Sequence, residues 1–299
     1  MTAQTSAAAP PLTFQRLNAE RGARDMFVRL IHARLAGIGL VIVVVLVFSA
    51  VLAPWIAPFS PTKQQVTNAL QPPSARNLLG TDELGRDILS RIIYGGQASL
   101  QVGIIAVGIA MLSGVTLGLI AGYWSNTLLE QVIMRLMDAL LALPALVLAL
   151  ALVAALGPSL QNAVIAVGIV GIPAYARLTR GQVLSVKERE FVTAARTTGA
   201  RDVRIILTHI LPNVTAALII QSSLGVAFAI LAEAGLSFLG LGVQPPTPSW
   251  GSMLSAGRGY LDLDPWLVIG PGMAIFIAVL GFNFLGDGIR DVLDPRLRN

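Results

Sequence analysis

Residues 35–56 read LAGIGLVIVVVLVFSAVLAPWI and carry no charged side chain. About 20 apolar residues wound as a helix cross the ~30 Å hydrocarbon core of a bilayer. Inside that core every backbone N–H and C=O must be bonded within the chain, and a lone helix meets this demand by itself. Further apolar runs follow at 98–122, 130–156, 160–180, 214–240 and 266–287. The expectation is an all-α membrane protein with six transmembrane helices, the third kinked at Pro144. Composition agrees. Only 12% of the 299 residues are charged and 55% are hydrophobic, against about 25% charged in a soluble domain.

Basic residues orient the spans, because cytoplasmic loops carry the excess of Lys and Arg. Arg16, Arg21, Arg24, Arg29 and Arg34 precede the first span. The 181–213 loop holds Lys187, Arg189, Arg196, Arg201 and Arg204, and the tail after the sixth span holds Arg290, Arg296 and Arg298. By contrast, 157–160 has no basic residue and 241–265 has only Arg258. Both termini and the 181–213 loop are therefore expected in the cytoplasm. The least consistent segment is 58–97, where Lys63, Arg76, Arg86 and Arg91 mix with Asp82, Glu83 and Asp87. The division that results is a cytoplasmic tail 1–34, a first helix 35–56, an extracytoplasmic segment 58–97, a transmembrane domain 98–287 and a cytoplasmic tail 288–299. Residues 1–13 are small and Pro-containing, which predicts disorder. The first apolar run lies too far in and is too long for a cleaved signal peptide.

Several chemistries have no residues to carry them. The chain has no cysteine, hence neither disulfide nor thiolate metal site, and its two histidines, His32 and His209, lack metal-ligand spacing. Its two lysines, Lys63 and Lys187, do not follow glycine, so no phosphate-binding loop exists. Neither H-E-x-x-H nor G-x-S-x-G occurs. No metal is expected, and nothing points to an enzyme.

One polar segment interrupts the apolar chain: EFVTAARTTGARDVRIILTHILPN, residues 190–213. Phe191, Ala194, Ala195 and Thr198 fall on one helical face, and Gly199 is a natural helix stop. Val203, Ile206, Leu207 and Ile210 repeat the spacing, and Pro212 precedes the fifth span. The spacing predicts a helix–turn–helix on the cytoplasmic side. An amphipathic helix lying on lipid and a segment docked into a partner's groove both fit this pattern.

The segment also carries a resemblance. Ala194-Ala195, then Gly199, then Leu211-Pro212 resembles the signature of the inner-membrane permease subunits of ATP-binding-cassette (ABC) importers. The family's usual glutamate before the alanines is Thr193 here, and its isoleucine before Leu-Pro is His209. Ala-Ala-Arg, Gly-Ala and His-Ile-Leu-Pro-Asn are similar to the dipeptide/oligopeptide/nickel branch. So are Gly80-Thr81-Asp82-Glu83-Leu84-Gly85-Arg86-Asp87, Leu236-Ser237-Phe238-Leu239-Gly240-Leu241-Gly242, Gln244 to Gly251, Leu285 to Gly288 and Asp294-Pro295-Arg296. Together the blocks cover about residues 35 to 298 and resemble the second, C-type permease of dipeptide transporters.

The resemblance implies the type I ABC importer permease fold and a set of partners. These are a second homologous permease, two ATP-binding subunits that use ATP and Mg, and an extracytoplasmic substrate-binding protein. This chain itself would bind no cofactor. Residues 190–212 would be the coupling segment that seats on an ATPase, with Glu190, Thr193, Ala194, Ala195, Arg196, Gly199, Ala200, Arg201, Arg204, His209, Leu211 and Pro212 as its candidates. Relatives of the branch also carry nickel chelates, glutathione or oligosaccharides. From other classes, an ion-coupled secondary transporter would use Asp138 and Glu233 as its carboxylates, and a structural anchor would need no polar segment.

Polar residues within the spans need partners. Arg135 and Asp138, three apart, are expected to pair or to reach the interface. Gln221 and Glu233 lie in the fifth span, and Glu233 is expected to brace a loop or a neighbouring helix. Outside the membrane, Asp82, Glu83, Arg86, Trp250 and Tyr260 are candidates for contact with the binding protein. Trp266 is read as an interfacial anchor.

Overall fold

The computed structural model describes residues 34–293, and among these every extended regular element is helical. The N-terminal arginines to Arg29, the tail 1–33 and the block Asp294-Pro295-Arg296 with Arg298 lie outside the described residues. Helix α1 spans Arg34–Val51 and a short turn follows at Ala53–Ile56. Then come α2 Ile88–Tyr123, α3 Leu128–Leu141, α4 Ala145–Leu156 and α5 Leu160–Val186. The polar segment opens with α6 Glu190–Thr197. After it, Asp202–Arg204 and a π-helical turn Ile205–Ile210 run into α7 Leu211–Phe238. Last are α8 Trp250–Gly257 and α9 Trp266–Leu293.

Among the described residues, four helices are long and apolar enough to cross a membrane: Ile88–Tyr123, Leu160–Val186, Asp202–Phe238 and Trp266–Val292. The pair α3 and α4 makes a fifth if it is one span, and Leu35–Val51 is a shorter apolar helix.

Three expectations need correction. The third apolar run is not a kinked helix, since α3 and α4 meet at 91°. Pro144 has φ −54° and ψ 135°. An extended proline without an N–H ends one helix and starts the next, where a helical proline would only bend it. The second helix starts at Ile88, not near 98. Asp87 caps it, accepting from Ser90 N at 2.8 Å and Ser90 Oγ at 2.7 Å. Pro212 does not separate a second short helix from the fifth span. The helix passes through it, because the wider π turn at Ile205–Ile210 has already shifted the hydrogen-bond ladder and Pro212 sits in the first turn of α7.

The core of the bundle is the seam between α2 and α5. Gly114 and Gly118 face it. A Cβ on Gly118 would stand 2.5 Å from the Ala176 carbonyl oxygen, and one on Gly114 would stand 2.6 Å from that of Ile172. The backbones touch, so these glycines cannot be enlarged without parting the helices.

Candidate functional site

Helix α6 buries Val192 completely and packs Ala195 against the core. Of the face read from the spacing, Phe191, Ala194 and Thr198 are exposed and Ala195 is half-buried. Inward packing is set by Val192 below and by Ile205, Ile206 and Ile210 of the following turn, all buried, whereas Val203 and Leu207 are exposed. The helix ends in a Schellman motif. Ala200 N donates to Ala195 O at 3.1 Å and Gly199 N to Arg196 O at 2.9 Å, with Gly199 at φ +79°. Glu190, Thr193, Arg196, Arg201, Arg204 and Pro212 are exposed, whereas Ala200, His209 and Leu211 are half-buried. The His209 ring lies 6.4 Å from that of Phe191.

Helix α2 holds this segment in place. The Tyr123 hydroxyl donates to Asp202 at 2.6 Å, and the Arg196 guanidinium lies 5.4 Å from the Tyr123 ring centre. Lys187 Nζ donates to the Gly122 carbonyl at 3.2 Å and also reaches Ser125. Phe191, Ala194, Thr198 and the arginines thus form an outward surface on a base clamped to α2. No local signal in the sequence marks Tyr123 or Lys187 as an anchor of the segment, because their partners are distant along the chain.

Arg135 does not pair with Asp138. Asp138 binds Arg177 of α5, and Glu130 binds Arg180, whose Nε stands 2.7 Å away. Packing of α3 on α5 brings these residues together, while Arg135, one turn from Asp138, is left facing the same open cleft. Two basic residues at i and i+3 in the fourth span were the available signal.

Glu233 is fully buried and has its partners. Ser99 Oγ donates to Oε2 at 3.0 Å and Ser237 Oγ to Oε1 at 2.6 Å. Ser237 Oγ accepts in turn from Val243 N at 3.1 Å. The carboxylate therefore joins α7, α2 and the loop after α7. Gln221 lines a cavity between α2, α5 and α7.

On the opposite side, Asp82, Arg86 and Trp250 are buried and bonded within the chain. Arg86 Nε bonds Asp82 at 2.7 Å, Arg91 Nε approaches it to 3.3 Å, and Arg86 also reaches Glu83 at 3.0 Å. Trp250 Nε1 donates to the Ile92 carbonyl at 2.9 Å. Buried guanidinium groups require such partners, so the Gly-Thr-Asp to Arg-Asp block shapes the 58–87 loop. Glu83 and Tyr260 are partly accessible.

Residues 114–299 match the family described as binding-protein-dependent transport system inner membrane component, and residues 23–73 match the N-terminal transmembrane domain of oligopeptide transport permease C. The chain belongs to this permease family. It is accordingly a multi-pass inner-membrane subunit with no enzymatic role of its own. The permease is 51% identical over 267 residues to the di/tripeptide transport system permease protein DppC of Pseudomonas aeruginosa, covering 87% of this chain and 88% of that one. It is 48% identical over 276 residues to the dipeptide permease DppC of Alkalihalophilus pseudofirmus, covering 92% and 90%. To the Escherichia coli dipeptide permease DppC it is 49% identical over 269 residues, covering 88% and 89%. Among solved structures, the MetNI methionine ABC transporter in inward-facing form superimposes with TM-score 0.59 at 17% identity, over 69% of this permease and 98% of that chain. The permease therefore has the type I ABC importer fold.

Proposed function

We propose that this permease is one membrane subunit of an ATP-driven importer of short peptides, and that residues 190–212 couple ATPase closure to alternating access. The observation that carries the coupling role is the outward face of α6, presented on a base that Tyr123, Asp202 and Lys187 clamp to α2. A helix resting on lipid would aim Phe191 and Leu207 into acyl chains. Here the exposed residues of the segment include Phe191 and Ala194 together with the charged Glu190, Arg196 and Arg201, a small, charged face suited to a protein groove.

The partners are a second homologous permease, two ATP-binding subunits that consume ATP and Mg, and an extracytoplasmic binding protein. The charge distribution supports six spans with both termini in the cytoplasm, α1 being the first and α3 with α4 one broken span. Pairing of Asp82 with Arg86 in the 58–87 loop and with Arg91 at the start of α2 accounts for two of the basic residues that fit an external location least well. Peptide cargo is supported by relatives whose names carry dipeptide or di/tripeptide transport.

Proteoliposomes holding the whole complex test this reading. ATP-dependent uptake of a labelled dipeptide should be competed by unlabelled α-linked di- and tripeptides and left unaffected by nickel chelates, oligosaccharides or the γ-linked tripeptide glutathione. Uptake that follows an ion gradient without ATP would overturn it.

A further inference from the structure

A cavity of about 350 Å³ lies within the membrane-spanning bundle between α2, α5 and α7. Small residues make the room, among them Ala106, Ala110 and Gly171, and Ala145 closes one side at the break between α3 and α4. A Cβ on Gly225 would stand 2.9 Å from the Tyr175 hydroxyl. Glycine there leaves the hydroxyl its place in the wall, where it makes one long bond of 3.3 Å to Ser222.

Gln221 lines the same space near the midpoint of α7 and is half-buried. Among the described residues its amide has no hydrogen-bond partner. An amide at that depth is stable only against another polar group or a wetted cavity. The volume would hold about twelve waters at ~30 Å³ each. Among the described residues no charged side chain lines it. Gln221 therefore offers a neutral donor and acceptor side by side, in an apolar pocket of ligand-binding size. A peptide amide is the complementary group, since it offers one acceptor and one donor. A neighbouring helix has its backbone amides already bonded internally, and a lipid tail has no polar group to offer.

We propose that this cavity is a station on the translocation path for short peptides, with Gln221 bonding the passing amide and the small-residue wall receiving a side chain. The proposal rests on the peptide-importer reading and names a binding site for that cargo. Because Ala145 belongs to the broken span, the size of the station follows the angle between α3 and α4.

The absence of cysteine makes the test direct. Gln221→Cys, in the complete complex in proteoliposomes, should react with a hydrophilic maleimide, read as mass added to this chain. Dipeptide-loaded binding protein with ATP should slow that reaction severalfold. Ile219→Cys, on the opposite face of α7 and 46% exposed there, should stay unlabelled. Gln221→Leu keeps the bulk and removes the amide, and dipeptide moved per ATP should fall about tenfold. Gln221→Asn should recover part of the loss. Wild-type dipeptide per ATP in Gln221→Leu, or a Gln221→Cys thiol unreactive with and without ATP, overturns the station. A wild-type complex that moves no di- or tripeptide overturns the importer reading instead, so the two failures are distinct.

Discussion

The Tyr123 hydroxyl donates to the Asp202 carboxylate at 2.6 Å, and the Arg196 guanidinium stands 5.4 Å from the centre of the same ring. One side chain at the end of α2 thereby holds both halves of the segment that α6 opens. Helix α2 is in backbone contact with α5 at Gly114 and Gly118. A displacement of α6 has a rigid route into the bundle through Tyr123.

Tyr123→Phe keeps the ring and its contact with Arg196 and removes the bond to Asp202. Hydrogen bonds to charged groups contribute about 1.5–3 kcal/mol, too little to unfold the protein but enough to loosen the clamp. Peptide uptake should fall severalfold while the ATPase subunits still co-purify. Uptake at the wild-type rate would show that movement enters the bundle elsewhere.

Gly199 is required for its backbone, not for its small size. It sits at φ +79°, and a Cβ there would meet no atom within 4 Å. Left-handed backbone costs an ordinary L-residue about 1–2 kcal/mol, least for Asn. Gly199→Asn should therefore support near-normal uptake, and Gly199→Val should lower both ATPase co-purification and uptake. Equal loss in the two variants would point to a partner surface that excludes any side chain.

The glycine was visible in the sequence because a helix stop is a local signal, and the apolar runs were visible because membrane thickness imposes their length. The register of α6 was not. Phe191 and Val192 are both apolar, and only the packing of Ile205 and Ile206 beneath the helix selects Val192. Pro144 and Pro212 look alike in sequence, yet one ends a helix and the other rides through on a π turn. Pairs such as Glu130 with Arg180 or Trp250 with Ile92 join residues far apart in the chain. Periodicity reports a helix face and says nothing about which helix it will meet.

Glu233 should matter for stability before transport. Glu233→Ala deprives the Ser99 and Ser237 hydroxyls of their acceptor and leaves a buried void, costing about 2–4 kcal/mol. Glu233→Gln retains the size and one acceptor and should cost less. Thermal unfolding of the detergent-solubilised complex ranks the two. A Glu233→Ala protein that melts with wild type would show that the loop after α7 is held by other contacts.

Asp264 supplies a pH test outside the membrane helices. It is buried in the loop before α9. Its Oδ1 accepts from Trp266 N at 3.2 Å, and its Oδ2 has no partner among the described residues. Burial raises its pKa above the ordinary carboxylate range, and the Trp266 bond offsets only part of the effect. The folded state then holds the proton more tightly than the unfolded chain. Stability from this group is complete below the ordinary value, about 3.9, and is lost as pH rises through the raised folded value. Asp264→Asn keeps the oxygen that caps Trp266 and removes the buried charge. At pH 7 it should melt above wild type, and the gap should close as pH falls toward 4. Melting curves that stay parallel across that range would show that the Asp264 carboxylate is solvated in the assembled complex.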